Sequence, residues 1–134
     1  MENIDVMAGF DLQSYQGKKR LLLLFVPEPS STEYVQQWQL LYTRHADLED
    51  RDLVVISLFE EEVGDVDGEP VEPEEADTLR AQFRVKMGMA AALLIGKDGT
   101  EKRRFPMPVD PEALFRLIDS MPMRKDEMRG SSDT

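Results

Sequence analysis

The chain has 134 residues, 41% of them apolar and 32% charged, and a formal net charge of −11. A domain of that length buries roughly two thirds of its unfolded surface, so one hydrophobic core suffices without a metal or disulfide staple. The sequence contains 0 cysteines, which excludes disulfides, thiolate catalysis, thiol redox cycling and thiolate-bound metals, all of which need the sulfur itself.

The opening residues, MENIDVMAGFDLQ, lack the basic start, apolar stretch and small-residue cleavage site of a secretory signal. A cytoplasmic protein is therefore expected, with an exported or periplasmic mature chain as the alternative. A short helical pattern around Phe10, Leu12 and Tyr15 leads into the turn-like Gln16 to Lys19. Arg20 to Val26 is an almost unbroken apolar run, as expected of a central strand covered on both faces.

From Ser30 the period changes. Tyr34, Trp38, Leu41, His45 and Leu48 recur at four, three, four and three residues and predict one helix about 28 Å long. Ser30 and Glu33 fit a capping box at its start. Leu53 to Phe59 is a second buried strand, rich in β-branched residues. Strand, helix and strand make a right-handed parallel unit.

Residues 60–77 hold ten carboxylates and no Lys or Arg, so the acidity of the chain is one local patch. Such a patch repels nucleic acid and anionic membranes at close range, and no nucleic-acid partner is expected. The longest apolar run is about seven residues against the roughly 20 of a membrane span, so no span is expected either. Asp65, Asp67, Gly68 and Glu74 resemble part of a calcium loop, but its first ligand position would be Val63. The segment reads as a solvated, mobile loop.

Pro73 suits a first helical turn, Glu74, Glu75 and Asp77 suit the positive helix end, and Ala76, Leu79 and Phe83 form the buried stripe of a second helix. Ala91 to Ile95 is a third strand; Gly96-Lys97-Asp98-Gly99 turns; Glu101 to Phe105 returns as a charged edge strand. Asp110 and Pro111 begin a third helix carrying Leu114, Leu117, Ile118 and Met121 and stopped by Pro122. The polar remainder ends in a disordered tail, 130–134, behind a single domain, 1–129.

This element order predicts an α/β thioredoxin-like fold: a four-stranded mixed sheet, order 2-1-3-4, with three main flanking helices. In such a sheet ligands gather at the carboxyl end of the first central strand. That places the Pro27 to Thr32 stretch, "PEPSST", at the site, with Met87 and Met89 approaching it from the segment before the third strand. Laid over a redox-active thioredoxin, Ser30 and Glu33 fall near the two sulfurs and Ala91 near the cis-proline, which is expected to be missing. Serine does not ionise near neutral pH or form a reducible bond, so Ser30, Ser31 and Thr32 cannot replace thiols. A serine nucleophile needs a base, and His45, roughly four turns along the predicted helix, reads as a packed helix residue.

Several residues carry a family resemblance. Leu93-Leu94-Ile95 with the Gly96 to Gly99 turn, Ile118 to Arg124 with Glu127-Met128, and the Arg51-Asp52-Leu53 entry to the second strand resemble the bacterial branch of the DUDES family. This is a thioredoxin-like, peroxiredoxin-related group whose animal relatives are domains of extracellular proteins, some with sushi repeats. The similarity covers about residues 18 to 129. It implies a fold and no particular reaction or ligand; many of the bacterial relatives begin with an export signal.

The sequence reading is a redox-inert domain that binds a protein or peptide, a basic one by preference, through Pro27, Ser30, Ser31, Thr32, Met87 and Met89. No catalytic residue, metal ligand or cofactor is assigned. The competing reading is a non-thiol enzyme or a Cu(I)- or Ca²⁺-binding protein using the Ser30/Met89 corner, with methionine thioethers as soft ligands.

Overall fold

The computed structural model describes residues 10–132. The first nine residues, with most of the opening segment read against an export signal, and the last two of the expected tail lie outside the described residues. The chain makes β1 (Arg20–Phe25), α1 (Thr32–Leu41), α2 (His45–Asp50), β2 (Leu53–Leu58), β3 (Gly64–Val66), β4 (Glu69–Val71), α3 (Pro73–Phe83), β5 (Ala91–Ile95), β6 (Glu101–Pro106), α4 (Pro111–Asp119) and α5 (Pro122–Ser132). A short 3₁₀ turn, Leu12–Tyr15, precedes β1.

The sheet has six strands in the order β4-β3-β2-β1-β5-β6. β1 lies parallel to β2 and antiparallel to β5, and β6 pairs antiparallel with β5. The four predicted strands thus keep their predicted order. The correction is two additional strands on the β2 edge, built from the acidic segment expected to be a mobile loop. Asp67 and Gly68 take positive φ (52° and 84°), the geometry of a two-residue hairpin turn. Val66 and Val71 then point into the core while Asp65 and Glu69 face solvent. Alternation of apolar and charged positions is what lets so acidic a segment form strands.

Every side chain from Leu21 to Val26 is buried, because each face of β1 has its own cover. Leu21, Leu23 and Phe25 pack with Ala76, Leu79 and Phe83 of α3. Leu22 and Leu24 pack with Leu41, Leu48, Leu114, Phe115 and Ile118 from the helices of the other face. The two-residue period of a strand sorts one apolar run into two cores.

The predicted single helix is instead two, separated at Tyr42 to Arg44. Arg44 N–H turns back to the Leu41 carbonyl (2.9 Å), and its guanidinium holds Asp47 (2.8 Å) in the first turn of α2. The break lets Leu41 and Leu48 both reach the sheet and leaves His45 exposed, which corrects its reading as a packed residue. Ser30 does not cap either. The N-cap is Ser31, whose hydroxyl accepts from the Glu28 N–H (3.3 Å) behind it instead of capping the helix ahead.

Pro122 begins α5 rather than ending the chain's helical structure, as proline can at a first turn. This helix was hidden because ion pairs, not an apolar stripe, dock it; it runs to Ser132, into the segment expected to be disordered.

Candidate functional site

The expected corner is built from the loop after β1 and the turn before β5. Val26 N–H donates to Leu58 O (3.1 Å), carrying the β1–β2 ladder one residue past the strand, and Glu60 N–H donates to Pro27 O (3.1 Å). The Glu60 carboxylate accepts in turn from Gly88 N–H. One residue therefore ties the Pro27 loop to the Lys86–Met89 turn. Ser31 N–H closes a turn on Glu28 O (3.0 Å). Ser30 and Thr32 are exposed, Pro27 and Ser31 are partly covered, and Met87 and Met89 stand out at 60% and 54% exposure. Glu60 escaped the sequence reading because its partners are backbone groups, one of them 28 residues away.

Behind the corner, α1 is fixed by Tyr34, whose hydroxyl shares a 2.8 Å hydrogen bond with Ser57 of β2 and whose ring meets Phe59 edge-on. Gln37, fully buried, donates to Val109 O (3.1 Å) and accepts from Val109 N–H (2.7 Å). The cis peptide bond among the described residues is Met107–Pro108, just before that anchor and not at Ala91.

The residues that carry the family resemblance occupy the other end of β1. Arg20, 2% exposed, donates to both Glu127 oxygens (3.2 Å each) and to Arg51 O (2.9 Å). Lys97 bridges Glu127 (2.7 Å) and Asp52 (2.8 Å). Arg124 joins Asp119 (3.0 Å) to Asp50 (2.6 Å), and Arg51, its guanidinium over the Phe115 ring, clamps Asp119 (2.9 and 3.1 Å). The hydrogen bond from Lys97 holds Asp52 below the usual carboxylate range. Burial pushes Glu127 and Asp119 up, but their Arg and Lys partners outweigh it and both are lowered. With Arg20 and Asp50, the signature residues Arg51, Asp52, Lys97, Asp119, Arg124 and Glu127 form a clamp that seats α5 on the amino ends of β1 and β2.

A cleft of about 500 Å³ beside β2 is lined by Trp38, His45, Leu48, Val55, Asp52 and Asp65 among others. It shares no residue with the corner. Among the described residues no group of three or more His, Asp or Glu is placed to hold a metal ion, so Asp65, Asp67 and Glu74 do not assemble a calcium loop. No helix in the described residues is long and apolar enough to cross a membrane.

The strand order, the β1 corner and the lack of any cysteine define a thioredoxin-like domain without thiol chemistry. Its backbone is similar to reduced Plasmodium vivax 2-Cys peroxiredoxin, with a TM-score of 0.69, 12% identity, and coverage of 87% of this chain and 85% of that one. The likeness shows the fold alone. Residues 11–127 match DUF4174, a domain of unknown function, and the chain belongs to that family. It is 32% identical over 120 residues to the rat (Rattus norvegicus) sushi repeat-containing protein SRPX, covering 87% of this chain and 26% of the relative. It is 30% identical over 129 residues to mouse (Mus musculus) SRPX2, covering 94% and 27%. The chain thus spans about a quarter of the length of the curated relatives it matches. The expected kinship with sushi-repeat proteins is borne out.

Proposed function

We propose that this domain is a redox-inert recognition module that binds a protein or peptide at the corner formed by Pro27, Ser30, Ser31, Thr32, Met87 and Met89. The supporting observation is the pair of highly exposed methionines held beside the proline-rigidified loop through Glu60. Methionine is an adaptable contact side chain, and a loop already fixed by prolines loses little freedom on binding. The carboxylates Glu60, Glu61 and Glu62, which follow β2 at this end of the sheet, favour a basic partner by attraction within about 8 to 10 Å. A thiol-free chain is indifferent to redox poise, so the reading holds in the cytoplasm or after export.

The test is a pull-down with wild type and the Ser30→Arg, Met89→Arg double variant. Both positions are exposed, so the fold should survive. Loss of the wild-type partners is expected, and recovery of the same partners would show the corner to be the wrong surface. A rise in melting temperature with Cu(I) or Ca²⁺, lost in the same variant, would replace this reading with metal binding by mass action.

A further inference from the structure

Arg80 in α3 is buried to 4% exposure, yet only one end of its guanidinium is used. Nη1 donates to Asp77 Oδ1 (3.1 Å) and the group lies over the Phe25 ring, 5.7 Å from its centre. Among the described residues Nε and Nη2 have no hydrogen-bond partner. These two atoms form a single edge of the guanidinium, the edge that meets both oxygens of one carboxylate. Elsewhere in this molecule the same edge is filled in that way. Arg51 places Nε and Nη2 on the two oxygens of Asp119, and Arg104 places them on the two oxygens of Glu101.

Buried donors left without acceptors are costly, and those of a cation more so. Arg80 lines a cleft of about 590 Å³ together with Asp77, Arg84, Lys86 and Met87. In a chain of net charge −11, this cleft carries three cations against one carboxylate.

We propose that Arg80 anchors an anion site in this cleft and that the ligand is a carboxylate group, supplied by an acidic peptide or by a small carboxylic acid. Arg84 and Lys86, both exposed at the rim, attract it, and the free edge of Arg80 receives its two oxygens. Phe25 and Asp77 hold the guanidinium in orientation. Both donor atoms are buried, so a ligand reaches them only with local movement of the cleft wall. The site stands apart from the corner reading, sharing only Met87 with it.

The test is a titration of the full chain, followed through the Arg80 Nε–H resonance and the amides of Val85 and Lys86. The probes are acetate, inorganic phosphate and a glutamate-rich peptide with blocked ends. A saturable shift with acetate is expected, and it should be at least about tenfold weaker in Arg80→Lys, which keeps the charge but loses the paired edge. Arg84→Gln with Lys86→Gln, at exposed positions, should weaken it by roughly three- to tenfold and serves if the Arg80 variant fails to fold. Tighter binding of the peptide than of acetate would assign the carboxylate to a polypeptide, and equal binding to a small acid. No saturable shift with acetate or peptide, an unchanged isotherm in the folded Arg80→Lys variant, or phosphate outcompeting every carboxylate would overturn the proposal.

Discussion

At the scale of single residues, backbone proximity and buried amides decide more than composition does. Gly64 sits where an added Cβ would lie 2.0 Å from the Ser57 carbonyl oxygen, so Gly64→Ala must displace β3 from β2. A loss of about 1–3 kcal/mol in urea unfolding is expected, against at most a small gain for Gly130→Ala, where nothing lies within 4 Å. Gln37→Leu would leave both polar groups of Val109 without their partner, at a cost of about 1–3 kcal/mol for each buried group so orphaned. Neither role could be read from the sequence. A lone glycine among carboxylates and a glutamine in a helix look ordinary until the strand and loop they touch are in place. The Asp67-Gly68 turn was different: an aspartate-glycine pair flanked by Val66 and Val71 is a legible hairpin signal, obscured here by the charge around it.

At the scale of elements, α5 depends on ion pairs where α3 and α4 depend on apolar stripes. Glu127 accepts from Arg20 and Lys97 together, and Arg20 is buried, so removing the carboxylate charge leaves a cation poorly compensated. Glu127→Gln should therefore accelerate amide hydrogen exchange in α5 while the amides of β1 and β5 stay protected, because local opening follows local contacts. Uniform acceleration across the sheet would instead mean that α5 and the core open as one unit. The contrast with α3 explains what sequence could show. Ala76, Leu79 and Phe83 are spaced to be buried and are buried, whereas the docking of α5 lies in partners 30 to 107 residues away.

At the scale of the whole molecule, the same clamp ties stability to pH. Asp52 and Asp119 sit below their ordinary 3.8 and Glu127 below its ordinary 4.5. A carboxylate lowered in the native state binds fewer protons there than when unfolded, so stability rises with pH through that interval. This contribution is complete above about pH 4.5 and is lost as pH falls through the lowered native values. Lys97 has the opposite sign: burial pushes it down, its two carboxylate partners outweigh that, and it is held above 10.5, so its share is lost as pH rises past that value. Urea midpoints measured from pH 2 to 11 should give a plateau between these limits, with an acid limb flattened in Glu127→Gln; an unchanged limb would place the acid sensitivity elsewhere. Apolar runs, periodicity and the sequence of elements, which are local, were enough to predict the order of four strands and the helix that begins at Pro73, and the absence of cysteine excluded thiol chemistry. Tertiary contacts decided how the acidic hairpin joins β2, how Leu41 and Leu48 both reach the core across the helix break and how the last helix docks by ion pairs, since each depends on groups far apart in the chain and none leaves a repeating pattern along it.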